Sequence, residues 1–260
     1  MSEAPLDLAT ARILVTNDDG IQAPGIRLLE KIALGFTRDV WVVAPETEQS
    51  GTSHSLTLRR PLRIRKVTRR RYAVDGTPTD AVLLAINHLL KGERPTLVLS
   101  GINRGGNLGE DVTYSGTIAA AMEATLLGVR AIALSQVTEG NGPAKWATAE
   151  HHAPDILRRL AGIRWPTNML VNVNFPDVTA HAVTGVVVAA QGKRKIGDQL
   201  VAGVDPRDVP YFWIGAMRKE EATRPGTDLA AVNAGSISVT PLNLDLTQRP
   251  ALKTLAQALA

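Results

Sequence analysis

The chain contains no cysteine in its 260 residues. That absence excludes a disulfide framework, thiolate metal centres and a cysteine nucleophile. No apolar run approaches the roughly 20 residues needed to span a bilayer, so no membrane segment is expected. The opening residues lack a basic start followed by an apolar stretch, so no signal peptide is expected and the expected location is the cytoplasm. Some catalytic signatures are missing as well. Neither a Walker pattern nor Gly-x-Gly-x-x-Gly occurs, which removes support for nucleotide-cofactor motifs. Gly-x-Ser-x-Gly is also absent, and with it the nucleophile elbow of esterases.

What is present is the profile of a soluble globular protein. With 44% hydrophobic and 21% charged residues, the chain can offset its ordering entropy by building a core, so disorder is excluded as its main state. Its formal net charge is +4, but the segment RRPLRIRKVTRRR, Arg59 to Arg71, holds eight basic residues and no acidic one. Removing those eight charges leaves the rest of the chain at −4, so the basicity is local and does not describe a general nucleic-acid binder. The alternation of Leu62, Arg63, Ile64 and Arg65 reads first as the wet face of a peripheral hairpin. A second reading is a platform for a polyanion or RNA.

The segment order implies an α/β fold with a Rossmann-like, mostly parallel sheet flanked by helices. Residues 1–11 read as a flexible tail, and 12–260 as a single domain. Arg12 to Thr16 and Val40 to Ala44 are apolar runs without alternation, as expected for strands buried on both faces. Between them, Ile26 to Phe36 has helical apolar spacing, which completes a βαβ unit. Further helices are predicted over 81–90, capped by Thr79 or Asp80, over 117–127, and over 143–160, where Pro154 marks a kink or the true start. Further strands are predicted at 96–99, 131–134, 169–174, 183–188 and 236–242. A turn-rich extension at about 190–235 contains Tyr211-Phe-Trp-Ile214, an apolar segment that calls for a partner.

The sharpest chemical signal is Asn17-Asp18-Asp19-Gly20, directly after the first strand. Open α/β sheets bind ligands at the carboxyl ends of their strands. Adjacent carboxylates there repel unless a cation neutralises them, and hard oxygen donors favour Mg²⁺, Mn²⁺ or Ca²⁺. A solvated Asp-Gly turn is the competing reading. Ser50 to Ser55 follows the second strand and Ser100-Gly101-Ile102-Asn103 the third, and both supply neutral oxygens at the same rim. Gly101, Gly105, Gly106, Gly109 and Gly116 crowd the approach to an Ala-rich helix opened by Ser115-Gly116-Thr117. Glycine-rich backbone and a helix start suit an anion, although a mobile loop with a Ser/Thr cap has the same composition.

Five blocks carry a resemblance. ILVTNDDGIQAPGI, VVAPETEQSGTSHSLT, DGTPTDAV, LVLSGINRGGNLGEDVTYSGTIAAAMEA and GTDLAAVNAGSISVTPL, in that order, resemble the SurE survival-protein family. The resemblance implies a divalent-metal-dependent phosphomonoesterase that releases phosphate from nucleoside 5′- and 3′-monophosphates, and also trims short-chain polyphosphate. It implies Asp18, Asp19, Ser50 and Asn103 as ligands of one divalent cation per subunit, Mg²⁺ or Mn²⁺, with Ca²⁺ able to occupy the site. Asn107, Ser115, Gly116 and Thr117 then lie near the substrate phosphate, and Asp18 or Asp19 is the catalytic carboxylate. The resemblance further implies a homodimer or homotetramer built through the C-terminal β-rich extension. No membrane and no specific nucleic acid are expected as partners. His54 stands where several relatives carry Asn, either touching substrate or solvated. A non-catalytic nucleotide- or RNA-binding module, using the glycine loop and the arginine hairpin, is the alternative.

Overall fold

The structure is a computed structural model that describes residues 2–140, 142–196, 200–214, 218–220 and 224–260. Strand β1, Ile13–Thr16, is buried along its whole length. Helix α1, Pro24–Leu34, follows with proline in its first turn, where no backbone N–H is missed. Its buried Ile26, Leu29, Ile32 and Ala33 recur at helical spacing and face the sheet. Strand β2, Val40–Pro45, pairs parallel with β1 and completes the predicted βαβ unit.

The peripheral hairpin is β3, Ile64–Thr68, and β4, Arg71–Val74, with β4 parallel to β2 and antiparallel to β3. Helix α2, Pro78–Leu84, continues into a wider turn over Ala85–Leu89. Strand β5, Leu97–Arg104, lies on the other side of β1, followed by α3, Gly116–Leu126, and β6, Arg130–Gln136. Helix α4, Trp146–Ala161, runs through Pro154 rather than starting there. The sheet closes with β7, Met169–Phe175, the short β8, Val186–Val188, and later β13, Ile237–Asn243.

The central sheet has nine strands in the order β8-β13-β7-β6-β5-β1-β2-β4-β3. From β1 the chain moves one way to β2 and then returns to the opposite side at β5. The β1/β5 boundary is therefore the topological switch point, where sheets of this type bind ligands. Alternate residues serve the two faces of the sheet. Ile13, Val15, Leu97 and Leu99 pack in one core with α1 and α4, and Leu14, Val43 and Val98 pack in the other with α2 and α3. Ala119, Ala120, Ala121 and Ala124 are all buried, and their small side chains let α3 lie close against the sheet.

Several expectations need revision. The tail is packed along part of its length: Leu8 is buried, and the Leu6 N–H donates to the Ala161 carbonyl at 2.8 Å. Strand β5 does not stop at Leu99 but runs through the glycine that appeared to end it, with a register shift against β6 between Ser100 and Asn103. Gly101 makes this possible, because its φ is +133° and a Cβ there would lie 2.3 Å from the Leu134 carbonyl oxygen. Strand β8 is shorter than the predicted 183–188.

The extension forms two ribbons. Strand β9, Arg194–Ile196, pairs with β12, Arg218–Glu220, and β10, Leu200–Val204, pairs with β11, Pro210–Ile214. Residues 197–199, 215–217 and 221–223 of the predicted extension lie outside the described residues. Helix α5, Asp228–Asn233, leads into β13, and α6, Arg249–Ala258, ends the fold. Among the described residues, no helix is long and apolar enough to cross a membrane.

The cap of α2 is Thr77, not Thr79 or Asp80. The Thr77 hydroxyl accepts from the Asp80 N–H at 3.1 Å, and the Asp80 carboxylate accepts from the Thr77 N–H at 2.9 Å. This reciprocal box starts the helix just before Pro78. Thr77→Ala is expected to lower unfolding free energy by about 0.5–2 kcal/mol in urea denaturation. An unchanged midpoint would show that the box does not hold the helix start.

Candidate metal and phosphate site

The site begins where β1 leaves the sheet. Three other segments converge on the Asn17–Gly20 turn. The Gln49 N–H donates to the Asp18 carbonyl at 2.8 Å, which brings the loop after β2 alongside. The Arg104 N–H reaches Asp19 Oδ2 at 3.4 Å from the end of β5. The start of α3 closes the third side: a Cβ on Gly116 would lie 2.8 Å from the Asp18 Cβ and 3.0 Å from Pro78 Cγ. A side chain at 116 would therefore displace the carboxylate-bearing turn from the helix start.

Asp18 is buried, and the Thr117 hydroxyl donates to its Oδ1. Burial raises the Asp18 pKa, and the Thr117 hydroxyl and nearby backbone donors oppose that shift. The start of α3 adds the positive end of a helix dipole to the same carboxylate. Asp19, partly exposed, is pushed up to about 7, first by burial and then by the neighbouring Asp18 charge. Glu48 pushes both aspartates in the same direction, while Arg104 opposes the shift at Asp19. This is a carboxylate pair short of counter-charge.

The neutral donors complete the picture. Asn103 Nδ2 donates to the Gly105 carbonyl at 2.9 Å, so its amide nitrogen is engaged and its oxygen is the atom left for a ligand. Asn17 Oδ1 is fully buried beside the pair and finds no hydrogen-bond partner among the described residues. Ser50 is exposed, and its hydroxyl donates to Glu48 Oε1 at 2.9 Å. Among the described residues, no group of three or more His, Cys, Asp or Glu is arranged to hold a metal. The donor set is two carboxylates with neutral amide and hydroxyl oxygens. Such a set fits a hard dication that keeps part of its water shell and does not fit zinc.

Of the residues expected near a phosphate, Ser115, Gly116 and Thr117 gather around Asp18. Ser115 Oγ caps α3 by accepting from the Ile118 N–H at 3.1 Å. Asn107 is held by the neighbouring strands β6 and β7. It is buried, its Nδ2 donates 2.8 Å to Ser135 Oγ, and its backbone is held by Asn172 and Asn174 of β7. Sequence reasoning missed Glu48 and Arg104. Each stands within two residues of a residue it did single out, Ser50 and Asn103, but nothing in the spacing shows that either faces the aspartates.

His54 is solvent-exposed but not free: its Nε2 lies 2.9 Å from Glu123 Oε2 on α3. Together with Ser53, whose Oγ donates to the Thr113 carbonyl at 2.8 Å, it fastens the Ser50 loop to α3 and the turn before it. Five of the eight basic residues in the run face four carboxylates. Arg60 and Arg63 face Asp75, Arg65 pairs with Glu46, Arg70 with Asp39, and Arg71 with Glu30. His152 Nε2 lies 2.8 Å from the Ala180 carbonyl oxygen, away from the site.

Fold and site together define a doubly wound α/β protein with a cation-seeking carboxylate pair beside a helix start at its switch point. A family model described as Survival protein SurE matches residues 13–198. The chain belongs to that family. It is 64% identical over 252 residues to a protein named 5′-nucleotidase SurE from Paramagnetospirillum magneticum, covering 97% of each chain. It is 55% identical over 255 residues to the protein of the same name from Rhodospirillum rubrum, again covering 97% of each. A crystal structure of Sure protein from Aquifex aeolicus overlays with a TM-score of 0.83 at 39% identity, over 95% of this chain and 99% of that one.

The Asp19 shift fixes the sign of a pH effect in EDTA-treated protein. A carboxyl with a folded pKa of about 7 holds its proton more tightly than it does in the unfolded chain, where it titrates near 3.8. Its ionisation therefore removes stability as pH rises from about 4 through 7, after which the loss levels off. Asp19→Asn is expected to gain melting temperature relative to the parent protein across that window and to hold a constant advantage above it. A difference independent of pH would contradict the raised pKa.

Proposed function

We propose that the chain is a divalent-metal-dependent phosphomonoesterase acting on nucleoside 5′- and 3′-monophosphates and on short polyphosphate. The carrying observation is the underneutralised pair Asp18 and Asp19, set beside the N-terminus of α3 at the switch point. The relatives' name, 5′-nucleotidase SurE, supports the same reaction class. Asp18, Asp19, Ser50 and Asn103 would hold one Mg²⁺ or Mn²⁺, with Ca²⁺ able to take the same oxygens. When bound, such a cation supplies Lewis-acid polarisation of phosphoryl oxygens and lowers the pKa of water.

The rest is done by the chain's own groups. The backbone N–H groups opening α3, with the Ser115 cap and the Thr117 hydroxyl, stabilise negative charge that grows on the phosphoryl group. Asp19, the more exposed of the pair, accepts the proton of the attacking water, while buried Asp18 remains tied to Thr117. Asn107 supports this surface from behind through its bonds to β6 and β7. Arg104, beside Asp19, supplies a positive charge for a substrate phosphate entering the rim. Nucleoside monophosphates and short polyphosphate as substrates support a cytoplasmic location.

The exposed strand β11, with Phe212, Trp213 and Ile214 each about two-thirds or more exposed, supports self-association through the extension as a homodimer or homotetramer. A nucleic-acid or nucleotide-binding module without turnover is the weaker reading. Five of the arginines it would use already face Glu30, Asp39, Glu46 or Asp75.

Asp18→Asn and Asp19→Asn are each expected to lower phosphate release from nucleoside monophosphates by at least about a hundredfold while the circular dichroism spectrum stays native. EDTA should abolish turnover, and Mg²⁺ or Mn²⁺ should restore it. Full turnover by either variant sinks the reading. Replacing Phe212 and Trp213 together with Asp should shift sedimentation toward the monomer, and an unchanged sedimentation profile would remove the extension from the assembly.

A further inference from the structure

One buried ion pair ties the foot of the extension to the phosphate side of the site. Arg194 opens β9, and its guanidinium meets Asp111 Oδ2 in the short 3₁₀ turn Gly109–Thr113, with side-chain exposures of 5% and 4%. The backbones are locked together as well. The Arg194 N–H donates to the Glu110 carboxylate, and Gln191 Nε2 donates to the Gly109 carbonyl at 2.9 Å. Asp228 bridges the same two segments, accepting from the Gly109 N–H at 2.9 Å and the Gly192 N–H at 2.8 Å. A Cβ on Gly109, whose φ is +55°, would stand 3.0 Å from the Arg194 nitrogen.

Asp111 passes this anchoring onward. Its carbonyl accepts from the N–H groups of Tyr114 and Ser115, each at 3.0 Å. Ser115 caps α3, and two residues later the Thr117 hydroxyl holds Asp18. We propose that Arg194 is a positioning residue for phosphate recognition. Through Asp111 it sets where the N–H groups and hydroxyl at the start of α3 stand relative to the carboxylate pair. The inference rests on reading that helix start as the phosphate site.

Electrostatics separates this role from simple stabilisation. Burying two charges costs about as much as their attraction returns, so an apolar pair of similar volume is commonly neutral for stability. The apolar pair, however, lacks the directional fork that fixes one carboxylate at one angle. Stability and geometry can therefore be changed separately. A shift of about 1 Å in a binding group is enough to cost one to two orders of magnitude in recognition.

The experiment compares the parent protein with Arg194→Met, Arg194→Lys and the double variant Arg194→Met/Asp111→Leu. The double variant removes both charges of the pair and serves as the folding control. Melting temperature, nucleotidase kinetics with Mn²⁺, and calorimetric binding of inorganic phosphate with Mn²⁺ are measured on each. A folded double variant should show KM and phosphate Kd both raised about tenfold, with kcat lowered as well because the same donors stabilise charge growing on the phosphoryl group. Arg194→Lys should recover part of that loss, because it restores the charge without the fork. Parent-like KM and phosphate Kd in the folded double variant overturn the inference. A parent protein that binds phosphate but turns over no nucleotide sinks the enzymatic reading alone, because phosphate binding still tests Arg194.

Discussion

Asp18 and Asp19 are consecutive, both are removed from bulk water, and burial raises the pKa of each. Two negative charges so placed cannot both ionise without a nearby positive charge. The chain supplies only part of it: a hydroxyl and a helix start to Asp18, and a backbone N–H with a neighbouring guanidinium to Asp19. Glu48 makes the deficit larger. A carboxylate pair in this environment is relieved either by a proton kept on Asp19 or by the cation proposed above. Much of the nearby architecture keeps the pair in place: glycine at 116 so that the helix can reach it, glycine at 101 so that β5 can bend past it, and a loop hydrogen-bonded to its backbone.

The switch point explains why the partners come from distant parts of the chain. At β1 the strand order reverses, so the segments leaving β2 and β5 pass on either side of the Asn17–Gly20 turn. Each is then fastened a second time. The Ser50 loop is bound to α3 through His54 and Glu123, to the turn before α3 through Ser53, and to α2 through Thr57 and Asp80. The end of β5 is held on β6 by the Asn103–Ser135 register. A rim assembled from several loops can hold its geometry only if the loops are tied to helices and strands, and here the ties are polar and largely side chain to backbone.

Much of this was legible from the sequence because buried parallel strands and their helices write themselves as apolar runs and helical spacing. β1, α1, β2, α3, β6 and β7 were each readable within a residue or two. The errors cluster where a local rule was overridden. A glycine ordinarily ends a strand, yet Gly101 lies inside β5 because only glycine tolerates the backbone contact with Leu134. Thr79 and Asp80 both look like caps, but Asp80 completes a box begun by Thr77. Asp18 and Asp19 could be found as an adjacent pair after a strand. The His54–Glu123 and Arg194–Asp111 pairs could not, since 69 and 83 residues separate their members and no periodicity connects them.

The extension divides into two physically different halves. At its foot, Arg194, Asp111 and Asp228 are buried and multiply hydrogen-bonded, an arrangement with one geometry and little tolerance for another. On β10 and β11 the chemistry reverses: Leu200, Phe212, Trp213 and Ile214 are exposed, and among the described residues the strands pair only with each other. An isolated two-stranded ribbon is marginal in water, so the self-association proposed above would add stability at this end. A rigid polar foot and an apolar end that needs a cover are what would be required if assembly is to proceed without disturbing the helix start beside Asp18. Contacts made by the apolar strands can be non-directional, since burying area is their only requirement. Contacts at the foot must be directional, because a phosphate is recognised by the positions of its donors.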